Sequence, residues 1–168
     1  ALPPGIAFAV VSKEMMKRSE KMENKGFYTD FVRLKEKNDE DYALTTPPVS
    51  LMFGLDYQLD KMLREGMSAR YRRHEEMADA IRKWAEERME GIFPERGYES
   101  KTIGVVRRGG LDFDRFHSIL KSKGMEISNG YGDAKKTTFR IGTMGDLGPK
   151  DVKQLMDSMD EALEEMKQ

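Results

Sequence analysis

Thr137-Thr138-Phe139-Arg140-Ile141-Gly142-Thr143-Met144-Gly145, running on into Asp146-Leu147-Gly148-Pro149, is the stretch from which the rest of this chain can be read. Thr138, Phe139 and Ile141 favour a strand, and the glycines, which tolerate backbone angles that other residues avoid, suit its end and the turn beyond it. Pro149 then starts a helix whose Val152, Leu155, Met156, Met159, Leu163 and Met166 fall in one stripe. Arg140 stands out among apolar and small neighbours. An unpaired buried charge is costly, so the guanidinium is either tied to an internal acid or held ready for an incoming one. Its planar fork of donors fits a carboxylate with two parallel hydrogen bonds, which a lysine cannot supply. Structural ion pairing is the commoner fate of such an arginine, and the residues alone leave both open.

Working outward, Thr102 to Val106 reads as a strand. Asp112 to Ser122 reads as a helix burying Phe113, Phe116, Ile119 and Leu120, with Gly124 as its stop. Met125 to Ile127 reads as another strand, Asn129-Gly130-Tyr131-Gly132 as a turn, and Asp133 to Lys136 as a charged tip leading to the Arg140 strand. The order strand, helix, strand, strand, helix makes a small α/β lobe beginning near residue 91. Before it a long helix starts near Ser68 and carries Tyr71, His74, Met77, Ala78, Ile81, Trp84, Ala85 and Met89. Its length suits a spine joining two lobes. Arg70, Arg72, Arg73, Arg82 and Lys83 alternate with Glu75, Glu76, Glu86 and Glu87, the pattern of a salt-bridged solvent face. His74 has apolar helical neighbours and reads as a packing residue. No second histidine or acid cluster lies near it in sequence to suggest a metal, and His117 stands apart.

A shorter helix precedes the spine: Leu51, Met52, Leu55, Leu59, Met62 and Leu63 recur at helical spacing up to Gly66, one apolar face for a core or a partner. Ahead of it, Tyr42-Ala43-Leu44-Thr45-Thr46-Pro47-Pro48 cannot extend the helix backwards, because each proline disfavours helical geometry in the residue before it. The threonines are thereby held extended at the helix entrance, where a plain cap is the commoner use of such a residue. Phe27 to Asp41 mixes aromatics with a charge run and reads as an exposed arm or loop. Ser12 caps a short helix carrying Met15, Met16 and Met22 that Gly26 ends. Ile6 to Val11, after Pro3-Pro4-Gly5, reads as a strand buried on both faces.

With 168 residues, 38% hydrophobic and 35% charged, the chain is long enough for one fair core or one lobe of something larger. A net charge of -1 with both signs interspersed offers no sustained positive face, so nucleic acid is not expected as a partner. The absence of cysteine excludes disulfides, thiolate metal sites and a cysteine nucleophile within this sequence, and suits a reducing compartment. No apolar run approaches the roughly 20 residues that cross a bilayer, and the simplest expectation is a cytoplasmic protein without membrane contact. Thirteen methionines in helical stripes suit adaptable core filling.

Three of these stretches share a resemblance. Arg140-Ile141-Gly142 with Gly145 and a Pro-started helix, Tyr42 to Pro48, and Leu2-Pro3-Pro4-Gly5 before an apolar run resemble, in the same order, the C-terminal half of class V aminotransferases, pyridoxal 5'-phosphate enzymes of fold type I. The resemblance implies an α/β fold. Residues 1–66 would be the C-terminal part of the large cofactor-binding domain, 67–90 a long linking helix, and 91–168 the small lobe with a short, mainly antiparallel sheet. It implies that Arg140 binds the α-carboxylate of an amino-acid substrate. Tyr42 and Thr45, or the adjacent Thr46, would reach the cofactor phosphate of the neighbouring subunit, so a homodimer with a shared site follows. The lysine that holds the cofactor would lie just ahead of Ala1, and Lys13, the first lysine present, falls after the apolar run. The chain by itself would then be an inactive piece of an enzyme. That enzyme would move an amino group between alanine, serine or aspartate and a 2-oxo acid such as glyoxylate or pyruvate. Cysteine desulfurases of the same fold need a cysteine in this half and are disfavoured. The competing expectation is a non-catalytic interaction domain that presents its Leu51 to Leu63 helix to a partner.

Overall fold

The computed structural model describes residues 2–167. They form two compact units, Leu2–Asp60 and a second that begins at Lys61.

In the first unit, an extended segment leads to α1 (Lys13–Lys21) and α2 (Phe31–Asp39), and α3 (Val49–Glu65) begins. Ser12 caps α1 by accepting from the Met15 N–H at 3.1 Å, and the helix stops at Lys21, before Gly26 is reached. α2 lies inside the stretch expected to be an arm. Its signal is Asp30, whose carboxylate accepts from the N–H groups of Val32 (3.0 Å) and Arg33 (3.4 Å) and so satisfies donors that a helix start leaves open. The Ile6 to Val11 run is not the buried strand its composition suggests. No strand among the described residues pairs with it, and Phe8 is 74% exposed. Apolar content favours a strand, but a strand forms only where another backbone takes up its hydrogen bonds. On α3, Met52, Phe53 and Leu59 are exposed, while Leu51, Leu55 and Met62 are half-buried.

The core belongs to the second unit. α4 (Met67–Arg88) is followed by β1 (Ile103–Arg107), α5 (Phe113–Ser122), β2 (Ser128–Asn129), β3 (Thr138–Gly142) and α6 (Pro149–Met166). β3 is the central strand of an antiparallel sheet in the order β1-β3-β2. The strand expected at Met125 to Ile127 forms slightly later, because Ile127 turns inward as core and the ladder to β3 uses Ser128 and Asn129. Directly paired residues of antiparallel strands share a face. Val106 opposite Phe139, and Gly104 opposite Ile141, therefore lie on one side, and Val105 and Ser128 opposite Arg140 lie on the other.

All three helices serve the Phe139 side. Met77, Ile81, Trp84 and Ala85 of α4, Phe116 and Leu120 of α5, and Val152, Met159 and Ala162 of α6 are buried with Val106, Phe139 and Ile141 in one cluster. α4 thus packs as a wall of this core. It approaches β1 closely enough that a Cβ at Gly104 would lie 2.7 Å from Ile81 Cγ2. α5 is started by Asp112, which accepts from Asp114 and Arg115 N–H, and α6 by Pro149 with Gly148 N–H donating to Asp151 at 2.7 Å. Trp84 Nε1 donates to Asp160 at 2.8 Å, joining α4 to α6. Among the described residues no helix is long and apolar enough to cross a membrane.

Candidate functional site

Arg140 sits in the middle of β3, on the sheet face that these helices leave bare. Phe139 and Ile141, its neighbours, are buried on the helical side, so the strand is anchored through them while the arginine stands on the opposite face and is only partly buried. Its Nε–H donates to the Asn129 carbonyl at 2.9 Å, and its Cζ lies 5.8 Å from the centre of the Tyr131 ring. No carboxylate among the described residues pairs with it. Of the two fates open from sequence, the internal salt bridge does not form among the described residues.

The loop after β3 is held from behind. Arg73 donates to the carbonyl oxygens of Gly145, at 3.4 Å, and of Leu147, while Arg70 donates to Gly145 at 3.2 Å. Both arginines are gripped by Glu65 at the end of α3, Arg73 Nε at 2.7 Å and Arg70 Nη1 at 2.9 Å. Lys61 reaches Asp146 in the same loop. Sequence reasoning placed Arg70 and Arg73 on a solvent face. The clamp has no helical signature, because Glu65 lies on one helix and the arginines on the next, across Gly66.

Arg73 first, then Arg70, holds the Glu65 carboxyl down from 4.5 to about 2, against the opposing effect of burial. Because the folded value lies below the ordinary one, the unfolded chain takes up the proton first as pH falls. The stabilisation is therefore complete above about pH 4.5 and disappears toward about pH 2. Thermal melting followed across that window should show the wild-type midpoint falling more steeply than that of Glu65→Gln. Parallel curves would show that the clamp contributes nothing to stability.

His74, on the same helix, is 9% exposed and its Nδ1 has no partner. Burial, then the charges of Arg73 and Arg70, pushes its pKa below the ordinary histidine value. Its position among Met62, Met67, Tyr71 and Met144 agrees with a packing role. Among the described residues no group of three or more His, Cys, Asp or Glu is arranged to hold a metal.

In the first unit, Tyr42, Thr45 and Thr46 line one open pocket ahead of α3, together with Asn38, Asp41 and Met52. Tyr42 is 70% exposed, and the hydroxyls of all three have no hydrogen-bond partner among the described residues. The Lys37 ammonium lies 5.8 Å from the Tyr42 ring centre. The hydroxyls and the helix start are donors that fit phosphate oxygens, while the Lys37 ammonium is paired with Glu40 at 2.6 Å and Asp41 adds a second opposing charge. Of the four residues expected at a site, the structure brings Tyr42, Thr45 and Thr46 to one pocket and sets Arg140 apart from them on β3. Sequence reasoning missed Asn129 and Tyr131 beside Arg140, which only the turn between β2 and β3 brings there.

No protein-family profile matches the chain. An uncharacterized aminotransferase of Methanocaldococcus jannaschii is 32% identical over 170 residues, covering 99% of this chain and 44% of that protein. The soluble hydrogenase small subunit of a Synechococcus species is 26% identical over 166 residues, covering 98% of this chain and 43% of that protein. Among solved structures, the alanine–glyoxylate aminotransferase of a Nostoc species shares the fold with a TM-score of 0.78 at 22% identity, covering 90% of this chain and 42% of that one. The chain spans less than half the length of the relatives that it matches.

Proposed function

We propose that this chain, which is similar in sequence and fold to the C-terminal part of aminotransferases, serves as the substrate-gripping part of a class V, fold type I, pyridoxal 5'-phosphate-dependent aminotransferase. The observation that carries this is a guanidinium with no carboxylate partner among the described residues, fixed by its Nε and presenting its remaining N–H donors. Such a group receives the α-carboxylate of an amino acid in two parallel charge-assisted hydrogen bonds. Fixing the carboxylate limits how the α-carbon can turn, which is a positioning contribution to the reaction. When bound, the cofactor supplies the electron sink that lets an amino group pass between an amino acid and a 2-oxo acid. Tyr42 and either Thr45 or Thr46 would donate to its phosphate, in a site shared across a homodimer. The buried, helix-covered side of β3 keeps Arg140 in place, and the clamp from Glu65 keeps the following loop against α4.

The substrates proposed are alanine, serine or aspartate with glyoxylate or pyruvate. By itself this chain is expected to be inactive, since Lys13 follows the extended run and none of its lysines precedes the Pro-Pro-Gly turn. The test is an amino-transfer assay on the intact enzyme that contains the chain, with a panel of donors against glyoxylate, pyruvate and 2-oxoglutarate. Amino transfer from at least one of these donors is expected, together with uptake of pyridoxal phosphate. Tyr42→Phe and Thr45→Val should each weaken retention of the phosphate roughly tenfold, the loss of one hydrogen bond to a charged acceptor. Cofactor release measured by absorbance checks this.

A second reading is favoured by one observation, the exposed Met52, Phe53 and Leu59 on α3, which could instead serve a non-catalytic interaction domain. An intact protein that takes up no pyridoxal phosphate and transfers no amino group would select that reading.

A further inference from the structure

A guanidinium offers a carboxylate two bidentate edges, one formed by Nε–H and one Nη, the other by the two Nη groups. At Arg140 the first edge is spoken for, since its Nε–H is donated to the Asn129 carbonyl at 2.9 Å. The second edge has no acceptor among the described residues. We propose that Arg140 takes its carboxylate end-on, through both Nη groups, and that Tyr131 is the positioning residue that holds the guanidinium plane for this. The inference rests on the carboxylate-binding reading of Arg140 given above.

The cradle is built by backbone as much as by side chains. Gly130 sits where an added Cβ would meet the Ala134 carbonyl oxygen at 2.4 Å, Thr138 Oγ1 at 2.5 Å and the Lys135 Cα at 2.9 Å. Only a residue without a Cβ lets the chain leave β2 this tightly. Gly130 N–H donates to the Thr138 carbonyl at 3.0 Å, locking the turn to β3. With the turn closed, the Asn129 carbonyl faces Nε and the Tyr131 ring lies within cation–π range of the same guanidinium. Tyr131 is 81% exposed, so folding itself gains little from it. A large aromatic left in the open yet set beside an unpaired arginine is explained by what it does for that arginine.

The test is a titration of the intact enzyme that contains this chain, loaded with pyridoxal phosphate and labelled with ¹⁵N at arginine, with L-alanine, and with L-alaninamide as the control that lacks a carboxylate. L-alanine is expected to shift the Arg140 Nη resonances while its Nε–H signal stays in place. Tyr131→Phe should bind like the wild type, whereas Tyr131→Ala and Tyr131→Leu should bind about two- to fivefold more weakly with unchanged melting temperature. Movement of the Nε–H signal with L-alanine overturns the end-on geometry. Equal affinity in wild type and both ring-less variants, or a failure of Tyr131→Phe to restore binding, overturns the role of Tyr131 and leaves the carboxylate reading standing. No response of Arg140 to L-alanine in the wild type removes that reading and this inference together.

Discussion

Replacing Arg140 by alanine in the intact enzyme is expected to lower kcat/KM for amino-acid donors by about two to four orders of magnitude. Each hydrogen bond to a charged partner contributes about 1.5–3 kcal/mol, and the two Nη groups would make two of them in the productive complex. Arg140→Lys should retain part of this, because an ammonium keeps the charge and loses the fork. A deficit of about ten- to a hundredfold relative to wild type is expected for it. Melting temperature should hardly move in either variant, since the side chain is partly exposed and has no carboxylate partner whose charge would be stranded. The measurement that decides is a comparison of donors: the loss should fall on substrates with an α-carboxylate and spare amines without one. Equal losses on both kinds, accompanied by a lower melting temperature, would mean that the arginine supports the sheet and not the substrate.

Phe139→Ala, one residue away on the other face of the same strand, should act in the opposite sense and cost stability. Phe139 is fully buried, its ring 6.1 Å from that of Phe113 and 6.0 Å from that of Phe116. It is paired with Val106 across the ladder. Truncating a phenylalanine so enclosed removes its transfer free energy and leaves a cavity that three helices and a sheet cannot collapse to fill. The expected loss is about 3–5 kcal/mol, a large share of the roughly 5–15 kcal/mol that keeps a domain folded. A melting temperature lower by about 10–20 °C should be seen by circular dichroism. Phe139→Leu, which keeps most of the volume, should recover more than half of it. A shift of only a few degrees for the alanine variant would show that the core is looser than its burial implies. The pair of substitutions separates the two faces of β3, because one removes binding without unfolding and the other unfolds without touching a substrate contact.

Local rules were sufficient wherever an element is specified by its own residues. The 3.6-residue stripes placed α3 to α6, Asp112 and Pro149 marked helix starts, and Arg140 declared itself as a charge out of place in a strand. The same rules misplaced α2, where a dense charge run hid the cap at Asp30, and Ile6 to Val11, whose strand character depends on a neighbour that local sequence does not supply. The competing rule in the second case is that a strand is a property of two backbones, not one.

Sequence by itself determined α1 and α3 to α6, the central strand, and the alternation that buries Phe139 and Ile141 while presenting Arg140. Tertiary structure alone decided whether Arg140 is spent on an internal acid. It also brought Asn129 and Tyr131 to the guanidinium, and joined Glu65 to Arg70 and Arg73 across the break between two helices. The reason is that helical and strand periodicities are written in spacings of two to four residues, which a linear reading can count. The partner of a charge is set by whichever group the folded backbone brings within about 4 Å, and that distance bears no fixed relation to separation along the chain.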